Sequence, residues 1–236
     1  MNTQHTLSSG ADSESRWIFR VGAVSALLVL IGYIATFPVY AWVGNPPTTG
    51  IEAQLVYFAD KAAGWWIIAG LMVSTDLLLI PLFLALYHAL KDVRRYMMLI
   101  ALAFMYLFVV LDLAITWMAF SELIINGTRY VVATDAAKTL LIAGASHASA
   151  MLESPLGAVY AIVFPATGVA LASLVMLRGG FGKVTAYLGV LMGITGFAYL
   201  GAYVINELDV LRYINALLAT AWYGFVGVKL LRLYRQ

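Results

Sequence analysis

The chain has no cysteine, three histidines and very little charge. Each shortage closes a class of function. Without cysteine there is no disulfide framework, thiolate zinc site, iron–sulfur cluster or thiol nucleophile. His5, His88 and His147 are too few and too scattered for a histidine-rich metal or haem site. Walker, HExxH and dinucleotide fingerprints are absent, so no motif names a cofactor. Asp, Glu, Lys and Arg make up 11% of 236 residues, against about 25% in a soluble domain. A water-facing shell cannot be built from so few charges, which excludes an ordinary soluble enzyme and a disordered chain. The net charge of +2 gives no reason to expect a nucleic-acid partner.

What is present is hydrocarbon: 63% of residues are hydrophobic and mean hydropathy is +0.89. A helix needs about 20 apolar residues to cross the bilayer core. Six runs qualify, at about 17–43, 64–90, 96–120, 155–177, 184–205 and 210–231. The runs are continuous rather than alternating, which argues against an outer-membrane barrel. The fold expected is therefore all-α, a polytopic transmembrane bundle in one domain over 17–236, behind a polar tail at 1–16. No cleavable signal peptide is expected, because the first apolar run is too long for one. The stretch from Tyr130 to Met151 favours helix but holds Asp135, Lys138 and His147. It reads as an interfacial or re-entrant helix at about 130–150, with a seventh span as the alternative.

The charges sort by sign. With the N-terminus inside, inner segments hold Arg16, Arg20, Lys91, Arg94, Arg95, Arg178, Lys183, Lys229, Arg232 and Arg235. Outer segments hold only Lys61, Arg129, Lys138 and Arg212. Ten against four is the positive-inside bias of a cytoplasmic membrane protein with both termini inside. A seventh span would break that pattern. Trp17, Trp42, Trp65, Trp66 and Tyr213 fall near span ends, where aromatic belts sit.

Lipid tails give helices no hydrophobic reason to associate, so small residues and polar contacts must hold them together. The fifth span carries Gly189, Gly193 and Gly196 on a GxxxG ridge. That ridge fits internal packing, or a homo-oligomer or membrane partner. Phe37-Pro38 and Phe164-Pro165 open the two halves alike, but nothing else matches as an inverted repeat would require.

Two acids, Asp76 and Asp112, fall well inside spans, roughly 18 and 14 Å from the outer ends. An ionised carboxylate there is costly, so such residues face a bundle interior or a wet cavity. Spans two and three are joined by a short loop and should be antiparallel neighbours, which lets the acids meet. Two close carboxylates cannot both ionise cheaply, so one would keep a proton. Tyr33, Thr116, Tyr160, Tyr199 and Tyr203 fall at outer-half depths. Together they outline a polar cavity with Asp76 and Asp112 at its floor, suited to a small solute, proton or cation. The bland reading is that the acids only fix helix register. Ser146, His147, Ser149 and Glu153 lack the spacing that makes a hydrolase or metal motif specific. An accessory subunit of a larger membrane complex is the second function class, and an intramembrane enzyme the third.

Two stretches carry a family resemblance. FGKVTAYLGVLMGITGFAYLGAYVI with the following LLATAWYGFVGVKLLRL, and DLLLIPLFLALYHALKD in span two, resemble the bacterial membrane family catalogued as domain of unknown function 4386. The resemblance covers about half of the chain and implies a helical bundle of the bacterial cytoplasmic membrane. It implies no activity, cofactor or catalytic residue.

Overall fold

A computed structural model describes residues 3–235, with side chains from residue 16 onward. Every regular element among them is helical. In chain order these are α1 (Thr3–Val43), α2 (Ile51–Asp60), α3 (Ala62–Leu111), α4 (Trp117–Tyr130), α5 (Asp135–Glu153), α6 (Pro155–Ala158), α7 (Phe164–Met176), α8 (Lys183–Tyr199) and α9 (Val210–Tyr234). Two π-helical turns interrupt the series, Asp112–Thr116 between α3 and α4 and Val159–Val163 between α6 and α7.

Five stretches are long and apolar enough to cross a membrane: Arg16–Val43, Ala62–Tyr130, Pro155–Met176, Lys183–Tyr203 and Asn206–Tyr234. The second has 69 residues, about 100 Å if it were straight. It is not straight, because Arg94 leaves helical geometry at φ −154° and ψ 80°. The Tyr106 hydroxyl donates to the Ile80 carbonyl at 3.2 Å, so residues on either side of Arg94 lie side by side. The chain turns back there.

The helices close into a ring: α1 packs on α3, α3 on α7, α7 on α8, α8 on α9, and α9 on α1. Small residues set the spacing. A Cβ on Gly22 would collide with Ala85 and one on Gly32 with Thr75, pinning α1 antiparallel to the first half of α3. Leu230, Leu27 and Leu30 meet Gly22, Gly227 and Gly224 in reverse order along α1 and α9. The ridge on α8 faces inward. Gly189 meets Ser173, Gly193 meets Ala170 and Gly196 meets Ala166, all on α7 of the same chain. Polar bonds tie the same helices together. Trp222 Nε1 donates to Ser173 Oγ at 3.1 Å, and Asn215 Nδ2 donates to the Met192 carbonyl at 2.7 Å. Leu82, Phe83, Leu86, Met98, Met105 and Trp222 fill the centre, while Ile31, Leu77, Ile100, Leu191 and Leu217 point outward.

A second apolar core caps one end of the ring. It joins α2, α4 and α5 around Leu55, Phe58, Trp65, Leu123 and Ile124. The sequence places no helix at 51–60 and ends the third run near 120. The helix in fact continues to Tyr130, because α2 and α5 flank it and bury its apolar face. The 130–150 stretch is α5, starting after a break at 131–134. At the opposite end, Gly180 and Gly182 adopt φ of 71° and 99° in the turn from α7 to α8, a backbone that glycine takes without strain. That turn sits beside Leu90 and Val93 through Gly179, so the basic connections at 91–95 and 178–183 share one end of the bundle.

Candidate functional site

Asp76 and Asp112 stand 18 residues before and 18 residues after Arg94. In a hairpin of two antiparallel helices, equal distance from the turn gives equal depth. Both side chains are buried, at 3% and 6% exposure. Trp117 Nε1 donates to Asp76 Oδ2 at 3.1 Å and to Asp112 Oδ2 at 3.0 Å. Sharing that one donor makes the two carboxyls close neighbours. One indole N–H thus bridges two acids from the two arms of the hairpin.

The π turn makes this geometry. In an α-helix with 3.6 residues per turn, positions five apart point in different directions. In Asp112–Thr116 the Trp117 backbone N–H reaches the Asp112 carbonyl, the wider i to i+5 pattern. Residue 117 therefore stacks over residue 112, and the indole can fold back onto both acids. Phe120 holds the indole from its other side, with ring centroids 5.6 Å apart, and Trp65 stacks on Phe120 at 4.9 Å.

The polar chain continues outward. Thr116 lies beside Asp112, and its hydroxyl is 3.3 Å from that of Tyr160. Tyr160 belongs to the other π turn, Val159–Val163. Pro165 follows one residue after that turn, and a proline has no N–H to continue the α ladder. The π turn absorbs that lost bond and aims Tyr160 at Thr116.

A cleft of about 220 Å³ opens beyond this contact, lined by Thr116, Phe120, Tyr160, Tyr199 and Tyr203. Tyr199 and Tyr203 meet edge to face at 6.4 Å. Four of the residues singled out from the sequence, Thr116, Tyr160, Tyr199 and Tyr203, thus share one cleft. Asp76 and Asp112 come together but do not line it, because Thr116 and Tyr160 stand between. Tyr33 does not line the cleft; it stacks on Tyr223 at 5.9 Å and lies within electrostatic reach of both acids. Trp117, the donor at the centre of the site, escapes sequence reading because a tryptophan near a span end looks like a belt residue.

The remaining candidates disperse. Phe19 packs edge to face on His88. His147 is exposed, and the side chain of His5 lies outside the described residues. The Ser149 hydroxyl contacts Glu153 Oε1 at 2.9 Å and Gln54 Oε1 at 3.2 Å, linking α5 to α2. No cluster of three or more His, Asp or Glu side chains that could hold a metal occurs among the described residues. In the cap, the Tyr57 hydroxyl donates to the Gly44 carbonyl at 2.8 Å and accepts from Trp65 Nε1 at 3.1 Å. Burial raises the phenol above its ordinary pKa.

The fold and site together define a helical bundle of membrane-crossing length around a paired-carboxyl centre. Comparison with protein-family models, with curated proteins and with solved structures finds no match.

Proposed function

We propose that the protein crosses the bacterial cytoplasmic membrane six times, with both termini inside, and that the Asp76–Asp112 pair is its binding site for a proton or small cation. The reversal at Arg94 supports six crossings, since it divides the 69-residue stretch into two arms. The gathering of basic connections at one end supports the orientation.

The observation that carries the site is the indole N–H shared by two buried carboxyls. Two ionised carboxylates at this distance repel strongly in a dry interior, so one of the pair holds a proton. The shared proton gives the site two states. A cation arriving between the carboxyls displaces the proton, and the proton's return expels the cation. Thr116 and Tyr160 form the passage to the cleft, and their hydroxyls can hand a proton on or part to admit an ion. A register-fixing role would need neither the second acid nor this hydroxyl chain, since one carboxyl satisfies one N–H.

The test is flux in proteoliposomes carrying an internal pH dye, under an imposed gradient of sodium, potassium or protons. The wild type should move protons faster than protein-free vesicles. Asp76→Asn and Asp112→Asn should each lower that rate at least about tenfold, a barrier change of about 1.4 kcal/mol. Wild-type vesicles no faster than empty ones under every gradient would sink the proposal, as would Asn variants that match the wild type.

A further inference from the structure

A second crevice has neither acid in its lining. It holds about 560 Å³ and runs along α1 and α9 to the start of α8. Leu27 and Leu30 form one wall, Phe225 and Val228 the other, and Gly224 the floor between them. The floor is low because Gly224 has no side chain, and Leu30 passes 3.4 Å from where a Cβ would stand. Two cations, Lys229 and Arg232, close one end. Neither is paired with an acid among the described residues. They lie one helical turn apart on α9, at the end of the bundle that gathers the basic connections.

From this geometry we infer that the crevice is a binding site for one anionic phospholipid, with an acyl chain along the α1–α9 groove and the phosphate on Lys229 and Arg232. The dimensions agree. Thr220 to Arg232, both in the lining, spans 12 residues or about 18 Å of helix, close to the roughly 15 Å of hydrocarbon in one leaflet. The chemistry agrees as well. A guanidinium and an ammonium side by side match a phosphate diester, and cations at this membrane depth attract acidic lipids. A zwitterionic lipid would bring its own cation to the same two charges. The inference rests on the membrane reading but is independent of the acid pair.

The experiment is native mass spectrometry of the full chain purified into detergent with equal parts of phosphatidylglycerol and phosphatidylcholine. The wild type should retain one phosphatidylglycerol in preference to phosphatidylcholine. Lys229→Gln combined with Arg232→Gln should weaken that preference about twenty-five-fold, at roughly fivefold per charge. Gly224→Leu keeps both cations but fills the groove, and should lower retention of both lipids. Asp76→Asn should retain lipid as the wild type does, so failure of the flux proposal leaves this result standing. Equal retention of the two lipids by the wild type, or unchanged retention in both groove variants, would overturn the inference. So would a dimer that Gly224→Leu dissociates, since the crevice would then seat a second copy.

Discussion

The ring and the cap are both apolar and both helical, yet they are held by different means. Ring helices meet through glycine, alanine, serine and threonine: Gly22 on Ala85, Gly189 on Ser173, Gly193 on Ala170. The cap has one glycine crossing, Gly127 against the Leu55 backbone, but otherwise meets through large rings, with Phe58 at 5.2 Å from Trp65 and Trp65 stacked on Phe120. Between helices in lipid, apolar bulk gains nothing by burial, so close approach and dispersion decide. Where water reaches the surfaces, burying an aromatic ring is itself the driving force. On the membrane reading proposed above, the difference fits a ring in hydrocarbon and a cap nearer the water. Trp117 stands where the two meet. Its ring leans on Phe120 in the cap core, and its N–H holds the acids of the ring.

The comparison can be broken most forcefully at Gly189. A leucine there would drive into Ser173 and Trp222, and overpacking of this kind costs about 3 kcal/mol or more. Thermal unfolding in detergent should show the whole bundle destabilised. Phe120→Ala should cost a similar 3 kcal/mol or so, but in the cap. Limited proteolysis should then cut α2, α4 or α5 first, while amide exchange in α7 and α8 stays slow. If both variants loosen the same amides, the two cores are one cooperative unit.

Trp117→Phe sharpens the boundary. It keeps a ring for Phe120 and removes the N–H shared by the acids, at an expected cost of about 1–3 kcal/mol. The infrared band of a protonated carboxyl should shift in this variant and weaken in Asp76→Asn or Asp112→Asn. A band indifferent to all three would deny the pair its shared proton. The smallest effect is expected at Asn215→Leu, which removes the side-chain amide reaching Met192 and Thr195. Such interhelical bonds average about 0.6 kcal/mol in membranes, so a melting shift of a degree or two is the outcome to measure.

Much of the bundle could be read from residue order. The apolar runs mark the long helices, and the basic residues mark which connections share an end. Asp76 and Asp112 stand out because they are acids without a loop to live in, and the short link at 91–95 makes their meeting a matter of counting. The helix α2 was not legible, because IEAQLVYFAD is too short and mixed to declare itself before α4 is there to bury Leu55 and Phe58. Nor was the position of Tyr33, whose depth suits the cleft but whose direction along α1 takes it to Tyr223.

Composition and patterning by themselves determined that the chain is helical, apolar enough to cross a membrane, sorted by charge and provided with two misplaced acids. Those properties depend on local hydropathy and on counting along the chain. Only the tertiary structure decided that Trp117 is the group that joins the acids, that Thr116 and Tyr160 separate them from the cleft, and that the glycine ridge is used within the chain. Each depends on the rotation of one helix against another. A π turn changes that rotation by a fraction of a residue per turn, through backbone bonds that no side-chain pattern records.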